Sequence, residues 1–193
     1  MDKIVLATGN KGKLAEFRAM LKNYEVLSPK DLGLEFDVEE TGETFFDNAL
    51  IKAKALYELC GIPAMADDSG LCVDALGGAP GVYSARYSGG TDADNNNKLL
   101  GELKGKADRT AHFTSCIVYY DGANVISATG HTYGHITAAA TGDNGFGYDP
   151  LFYSDDLGKT FGVADEAEKN RVSHRARALA ELVKKLGEKG GKE

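Results

Sequence analysis

Tryptophan is absent from this 193-residue chain, proline occurs four times and cysteine three times. Cys60, Cys72 and Cys116 stand far apart with no C-x-x-C spacing. That excludes a dense disulfide framework and a thiolate zinc site, and it points to a reducing cytosol. Long hydrophobic runs are missing too. The four apolar residues from Ile4 to Ala7 are followed at once by polar ones. A signal-peptide core needs ~7–15 such residues and a membrane span ~18 or more. The expectation is a soluble, unprocessed, cytoplasmic protein with no membrane partner. Positive charge is also scarce: Lys+Arg 22 against Asp+Glu 29 leaves a net charge of -7. Polymeric nucleic acid needs a concentrated basic face and is therefore not an expected partner. Any anionic ligand must meet a local basic cluster or a bridging metal ion.

Glycine is abundant, at 24 residues against an average near ~7% of a chain. The excess implies tight loops and places where backbone approaches a ligand closely. With 42% hydrophobic and 26% charged residues, the chain has the composition of a globular protein. Its length suits one domain, expected over 1–187, with a polar C-terminal tail at 188–193 that should fray.

Along the chain, strand-like and helix-like patterns interleave, which is the signature of the α/β class. Ile4 to Ala7 reads as a strand, Leu14, Phe17 and Leu21 as one face of a helix, and Tyr24 to Leu27 as a second strand. Thr44 to Asp47 resembles a helix start. The helix behind it would bury Phe46, Ala49, Leu50, Ala53, Leu56 and Cys60, and Gly61 would close it. Ile62 to Ala66 is a short strand expected to end at Asp67-Asp68-Ser69-Gly70. A helix is expected from Asp92 to Leu103, then a hairpin of Ala111–Tyr120 and Asn124–Tyr133. One final helix should start at Asp165, capped by Glu168, bury Val172, Ala176, Leu179, Val183 and Leu186, and stop at Gly187.

Four loops carry residue types suited to chemistry. Thr8-Gly9-Asn10-Lys11-Gly12-Lys13 joins a strand to a helix, where free N–H groups and the helix dipole suit a phosphate. It is too short for a Walker A loop, and Leu14 stands where Ser or Thr should follow the lysine. An ordinary turn with solvated lysines fits this loop equally well. Asp67 and Asp68 repel one another unless a cation or donors compensate. With Glu39-Glu40 near and no histidine, hard oxygen ligands of this kind suit Mg²⁺ better than a solvated turn. Asn48 and Lys52 share one helix face, and solvent is the default surrounding of such a lysine.

Gly145-Phe146-Gly147-Tyr148-Asp149-Pro150 offers rings on which a base could stack and a carboxylate to accept its N–H, or simply a packed aromatic turn. Lys169, Ser173, His174 and Arg175 gather donors on the last helix, where Glu166 and Glu168 could instead make them a surface ion-pair network. His131 and His135 lie on a strand, ~13 Å apart, too far to share a metal ion.

Taken together, T-G-N-K-G-K at 8–13, E-T-G-E-T-F-F-D-N-A at 40–49, A-D-D-S-G-L at 66–71, G-G-A-P-G-V-Y-S-A-R-Y at 77–87, G-F-G-Y-D-P at 145–150 and E-K-N-R-V-S-H-R at 168–175 make the chain resemble the Ham1/inosine triphosphate pyrophosphatase family. The resemblance implies a mixed central sheet flanked by helices, two lobes with a substrate cleft between them, and a homodimer. It implies Mg²⁺-dependent hydrolysis of non-canonical purine nucleoside triphosphates (ITP, dITP, XTP) to the monophosphate and pyrophosphate, which cleanses the nucleotide pool. By position, Thr8, Gly9, Asn10, Lys11, Gly12, Lys13, Lys52 and Ser69 would meet the phosphates. Glu40 and Asp68 would hold the metal, with Asp68 as proton acceptor. Phe146, Gly147, Tyr148, Asp149, Lys169, Ser173, His174 and Arg175 would line the base pocket, Tyr148 standing where tryptophan is often found. The rivals are a related pyrophosphatase with another base preference and a nucleotide-binding sensor without turnover.

Overall fold

The structure is a computed structural model that describes the backbone of residues 1–190 and the side chains of residues 1–188. Among the described residues, seven strands form one mixed sheet in the order β2-β1-β3-β4-β5-β6-β7. The elements in chain order are β1 (Asp2–Leu6), α1 (Lys11–Met20), β2 (Tyr24–Leu27), α2 (Phe45–Cys60), β3 (Ala64–Val73), α3 (Asp92–Glu102), β4 (Thr110–Tyr120), β5 (Val125–Ile136), β6 (Phe152–Ser154), β7 (Lys159–Thr160), α4 (Glu166–Val172) and α5 (His174–Gly190). The chain divides into two compact units. Unit 1 comprises Met1–Asp68, Ser115–Thr129 and the chain from Ala178 on; unit 2 comprises Ser69–Thr114 and Gly130–Arg177.

Unit 1 is built on parallel pairing. β1 pairs with β2 on one side and with β3 on the other, in the registers Ile4↔Val26 and Leu6↔Met65. Parallel neighbours need a crossover, and α1 and α2 supply the two. The chain leaves β1 toward one side and returns to the other, so the carboxyl ends of β1 and β3 flank a reversal of strand order, where open α/β sheets place ligands. Both faces of these strands are covered. Ile4, Leu6, Met65 and Ile117 pack with Phe17 of α1 and Leu179 and Leu182 of α5. The alternate residues Val5, Ala7, Ala64, Ala66 and Val118 pack against Ala49, Ala53 and Leu56 of α2. Double burial is why β1 reads as an unbroken apolar run, and the alanines let α2 lie close.

Unit 2 joins β6 and β7 to the end of β5 in antiparallel pairs, Ile136↔Phe152 and Tyr153↔Thr160. Its core holds Leu71, Leu99, Phe113, Phe152 and Phe161, with Phe113 and Phe152 tilted at a centroid distance of 4.6 Å.

Several expected boundaries are corrected. β3 does not end before the aspartates but runs through Asp67, Asp68, Ser69 and Gly70 to Val73. Phe46 is 39% exposed, and it is Phe45 that packs beside Ala49 and Ala53. The single final helix is two, because Ser173 leaves the helical region at ψ 156 between α4 and α5. The break rotates the buried stripe of the second helix, so Leu182 is buried and Val183 exposed. Gly187 does not stop α5, which continues to Gly190. Of the expected tail, 188–190 are thus helical, and 191–193 lie outside the described residues.

Candidate active site

The expected site residues fall into two clusters, one in each unit. In unit 1, the turn after β1 is shaped by its own side chains. Thr8 Oγ1 accepts from the Asn10 N–H at 3.0 Å, and Asn10 Oδ1 caps α1 by accepting from the Lys13 N–H at 3.1 Å. Gly9, Asn10 and Lys11 are exposed. The first turn of α1 carries two lysines and Gly12 but no acidic residue, unlike the first turns of α2, α3 and α4. The positive end of its dipole is therefore not offset from within the helix.

Successive residues of a strand point to opposite faces, and β3 thereby separates its two aspartates. Asp67 turns to the α1 side. Its Oδ2 lies 2.8 Å from Lys13 Nζ, and Oδ1 accepts from the Ser115 hydroxyl of β4. Asp68 turns to the α2 side. Lys52 Nζ donates to the Asp67 carbonyl at 2.9 Å and stands 3.5 Å from Glu40 Oε2 and 3.8 Å from Asp68 Oδ1. Two residues beyond Glu40, the Gly42 N–H donates at 2.7 Å to Oδ1 of Asn48, which is fully buried.

Burial pushes the Asp68 carboxyl up to about 7; Glu40 and Asp67 add to the rise, and the Lys52 and Lys13 ammoniums oppose it. Among the described residues its Oδ2 is buried with no hydrogen-bond partner. A carboxylate short of positive charge beside a second carboxylate is a fitting donor set for a hard divalent cation. No group of three or more His, Cys, Asp or Glu among the described residues could hold a metal ion by itself. The donor set therefore suits a hard divalent cation that completes its shell with water and other oxygen ligands, rather than a protein-enclosed zinc.

In unit 2, the turn Gly145–Pro150 is closed by Asp149, whose Oδ2 accepts the Phe146 N–H at 3.0 Å and Lys169 Nζ at 2.7 Å. Lys169 Nζ also stands 4.5 Å from the centroid of the Phe146 ring, with the Arg175 guanidinium at 5.8 Å. Arg175, 1% exposed, donates from Nη2 to Ser69 Oγ at 3.0 Å. His174 stacks on Phe113 at 4.7 Å and 15°. Ser173 Oγ accepts the Ala176 N–H and so caps α5. Lys169, Ser173, His174 and Arg175 are all buried, which overturns a surface ion-pair network; Glu168 pairs instead with Lys159 at 2.7 Å. Tyr148 is committed to the core and donates its hydroxyl to the Ser84 carbonyl at 2.6 Å, while Phe146 is half-buried. Gly147 is held by Asp92 and Asn96 of α3.

His131 and His135 have separate partners, as the strand spacing requires: Thr114 Oγ1 at 2.9 Å for the first and the Tyr153 ring at 4.7 Å for the second. Sequence reasoning missed Ser115, Asp92, Asn96 and Ser84, and it left Asn48 on a polar helix face. Buried asparagine beside a glycine loop was the one available signal. The others meet their partners across long chain separations, 48 residues for Ser115 and Asp67, which no local pattern encodes.

Comparison with known proteins identifies the family. The Ham1 family model matches residues 4–185. The dITP/XTP pyrophosphatase of Treponema denticola is 50% identical over 184 residues, 92% of this chain and 94% of that protein. The dITP/XTP pyrophosphatase of Haemophilus influenzae is 51% identical over 194 residues, 96% of this chain and 99% of that one. Among solved structures, the Ham1 protein of Staphylococcus aureus superposes with a TM-score of 0.87 at 39% identity, covering 97% of this chain and 100% of that one. With the family pattern spanning nearly its whole length, this chain belongs to the Ham1 family.

Proposed function

We propose that this chain is a nucleoside triphosphate pyrophosphatase that hydrolyses ITP, dITP and XTP to the monophosphate and pyrophosphate with Mg²⁺. The observation that carries the proposal is Asp68: a buried carboxylate with an unpartnered oxygen and a raised pKa, beside Glu40 and Lys52. A base poised near the working pH is suited to taking a proton from water. The water oxygen bonds to the α-phosphorus, the bond to the α–β bridging oxygen breaks, and pyrophosphate leaves. Asp68 receives the proton.

Lys52, together with Lys11, Lys13 and the N–H groups at the start of α1, faces the polyphosphate charge, and Thr8 and Asn10 hold that turn in shape. Glu40 and Asp68 would hold Mg²⁺, which supplies positive charge to phosphate oxygens when bound.

Base choice belongs to unit 2. Ser69, at the start of this unit, would touch the substrate beside Arg175. Lys169, Ser173, His174 and Arg175 are donors, matched to the 6-keto oxygen of hypoxanthine and xanthine. Adenine presents a 6-amino donor instead and would leave them unpaired. Such a mismatch in a dry site discriminates by ~10⁴–10⁵. Guanine shares the 6-keto group, so its 2-amino group must account for its rejection. Phe146 offers a ring face for the base and Asp149 an acceptor. We place the enzyme in the cytosol as a homodimer, for which light scattering should return twice 20.5 kDa.

One assay tests the activity and both rivals. Pyrophosphate release from ITP, dITP, XTP, ATP and pyrimidine triphosphates is followed with Mg²⁺ and with chelator, and the nucleotide product is identified by mass. Monophosphate from ITP, dITP and XTP far above ATP, abolished by chelator, is expected. Comparable kcat/KM for ATP would refute the donor pocket, and tight binding without product would make the protein a sensor.

A further inference from the structure

The first face of α3 has no part in the chemistry above, yet it grips the turn that carries Phe146. Asp92 Oδ2 accepts the Gly147 N–H at 3.0 Å, and Asn96 Nδ2 donates to the Gly147 carbonyl at 3.1 Å. Asp92 and Asn96 are four apart, so they share one side of the helix. The N–H of Gly147 belongs to the peptide before its Cα and the carbonyl to the peptide after it. Fixing both peptides fixes φ and ψ at this one residue.

Gly147 is where such a restraint matters. At φ 61 it occupies the left-handed region, and as a glycine it has the widest set of other conformations to escape to. Its neighbours are already tied, Phe146 through its N–H to Asp149 and Tyr148 through its hydroxyl to Ser84. Gly147 is the remaining joint. The grip is itself rigid: Thr91 caps α3, and Asp94 closes a capping box with it, so Asp92 is not needed as the cap.

We infer that Asp92 and Asn96 are positioning residues for base recognition: by locking Gly147 they set the plane of the Phe146 ring against Lys169 and Arg175. The inference rests on the base-pocket assignment proposed above. It places part of the specificity of the reaction in α3, outside the residues proposed to read the base.

The test uses Asp92→Ala, Asp92→Asn and Asn96→Asp. Asparagine at 92 keeps an acceptor for the Gly147 N–H. Aspartate at 96 keeps the shape but turns the donor into an acceptor facing a carbonyl. Each variant is assayed for ITP turnover, for inhibition by inorganic tripolyphosphate, which has no base, and for amide hydrogen exchange at 146–148. Loss of one hydrogen bond of this kind corresponds to about a fivefold to tenfold effect. Asp92→Ala and Asn96→Asp should raise KM for ITP by about that factor with kcat changed far less. Tripolyphosphate inhibition should stay at the wild-type level, exchange at 146–148 should accelerate, and Asp92→Asn should behave like the wild type.

An unchanged KM for ITP overturns the inference. So does a parallel loss of tripolyphosphate binding, which marks general damage, or an Asp92→Asn as impaired as Asp92→Ala. Failure of the wild type to act on ITP sinks the substrate assignment instead. The exchange measurement still reports then whether α3 locks the turn, and unaltered exchange in Asp92→Ala and Asn96→Asp overturns the lock itself.

Discussion

One peptide bond separates Asp67 from Asp68, and the strand's alternation separates their chemistry. Asp67 meets an ammonium and a hydroxyl, whereas Asp68 is buried with less positive charge than it needs. The consequence is a stability that depends on pH. An acid whose pKa rises from 3.8 to about 7 on folding holds a proton in the native state that the unfolded chain has already released across that window. Stability is therefore fully present below the unfolded pKa and falls as pH rises toward about 7, by up to ~1.4 kcal/mol per pH unit. In chelator, Asp68→Asn and wild type should melt alike at acid pH, and the variant should melt higher at alkaline pH. Added Mg²⁺ should then raise the wild type toward the variant, since a ligand of the native carboxylate stabilises the folded state. Thermal melts across pH check this, and a wild type that gains on the variant toward alkaline pH contradicts the assignment. The carboxylate pair was legible in the sequence as a residue type, but the division between its members was not. That division depends on the aspartates lying inside an extended strand, where the sequence reading expected a turn.

Element boundaries were legible where local chemistry sets them and hidden where pairing does. Thr44 caps α2 through the Asp47 N–H, and Gly61 closes it at φ 67, both readable from residue type alone. The length of β3 follows from the neighbouring strands that extend it, and nothing in Asp-Asp-Ser-Gly announces them. The α4–α5 junction lies between these cases. Ser173 has a good capping side chain, but no glycine or proline marks the break, and the apolar spacing continues through it. Two substitutions of opposite sign follow from the observed boundaries. Ser173→Ala removes the cap of α5 and should cost about 1 kcal/mol. Gly187 sits inside α5, exposed, with no positive φ and nothing near its added Cβ. Gly187→Ala should therefore stabilise by ~0.5–1 kcal/mol, whereas a glycine closing the helix at positive φ would be harmed by it. Urea titrations with an unchanged m value measure both.

At the scale of the molecule, an acidic chain of net charge -7 gathers cations into two clusters, half-buried in unit 1 and buried in unit 2, and the proposed reading assigns both to a polyanionic substrate. Lys13 and Lys52 stand with the carboxylates of unit 1, and Lys169 and Arg175 with the aromatic turn of unit 2. The motif loops of both clusters were legible in the sequence, because each is a short run of unusual composition. The long-range ties that hold them were not; Asp92 and Gly147 are 55 residues apart. On the proposed reading the clusters also divide the work: Asp68 in unit 1 takes the proton, and the donors of unit 2 read the base. Rate and choice should then separate under mutation. Asp68→Asn removes the acceptor but keeps the shape and the hydrogen-bonding carbonyl, so turnover should be abolished for every substrate. Lys169, Ser173, His174 and Arg175 are untouched by that change, so the variant should still bind ITP far more tightly than ATP. Calorimetric titration of the inactive variant with both nucleotides reads the ranking without hydrolysis. Equal affinities would mean that discrimination arises in the chemical step beside Asp68, and residual wild-type pyrophosphate release would remove Asp68 from the reaction altogether.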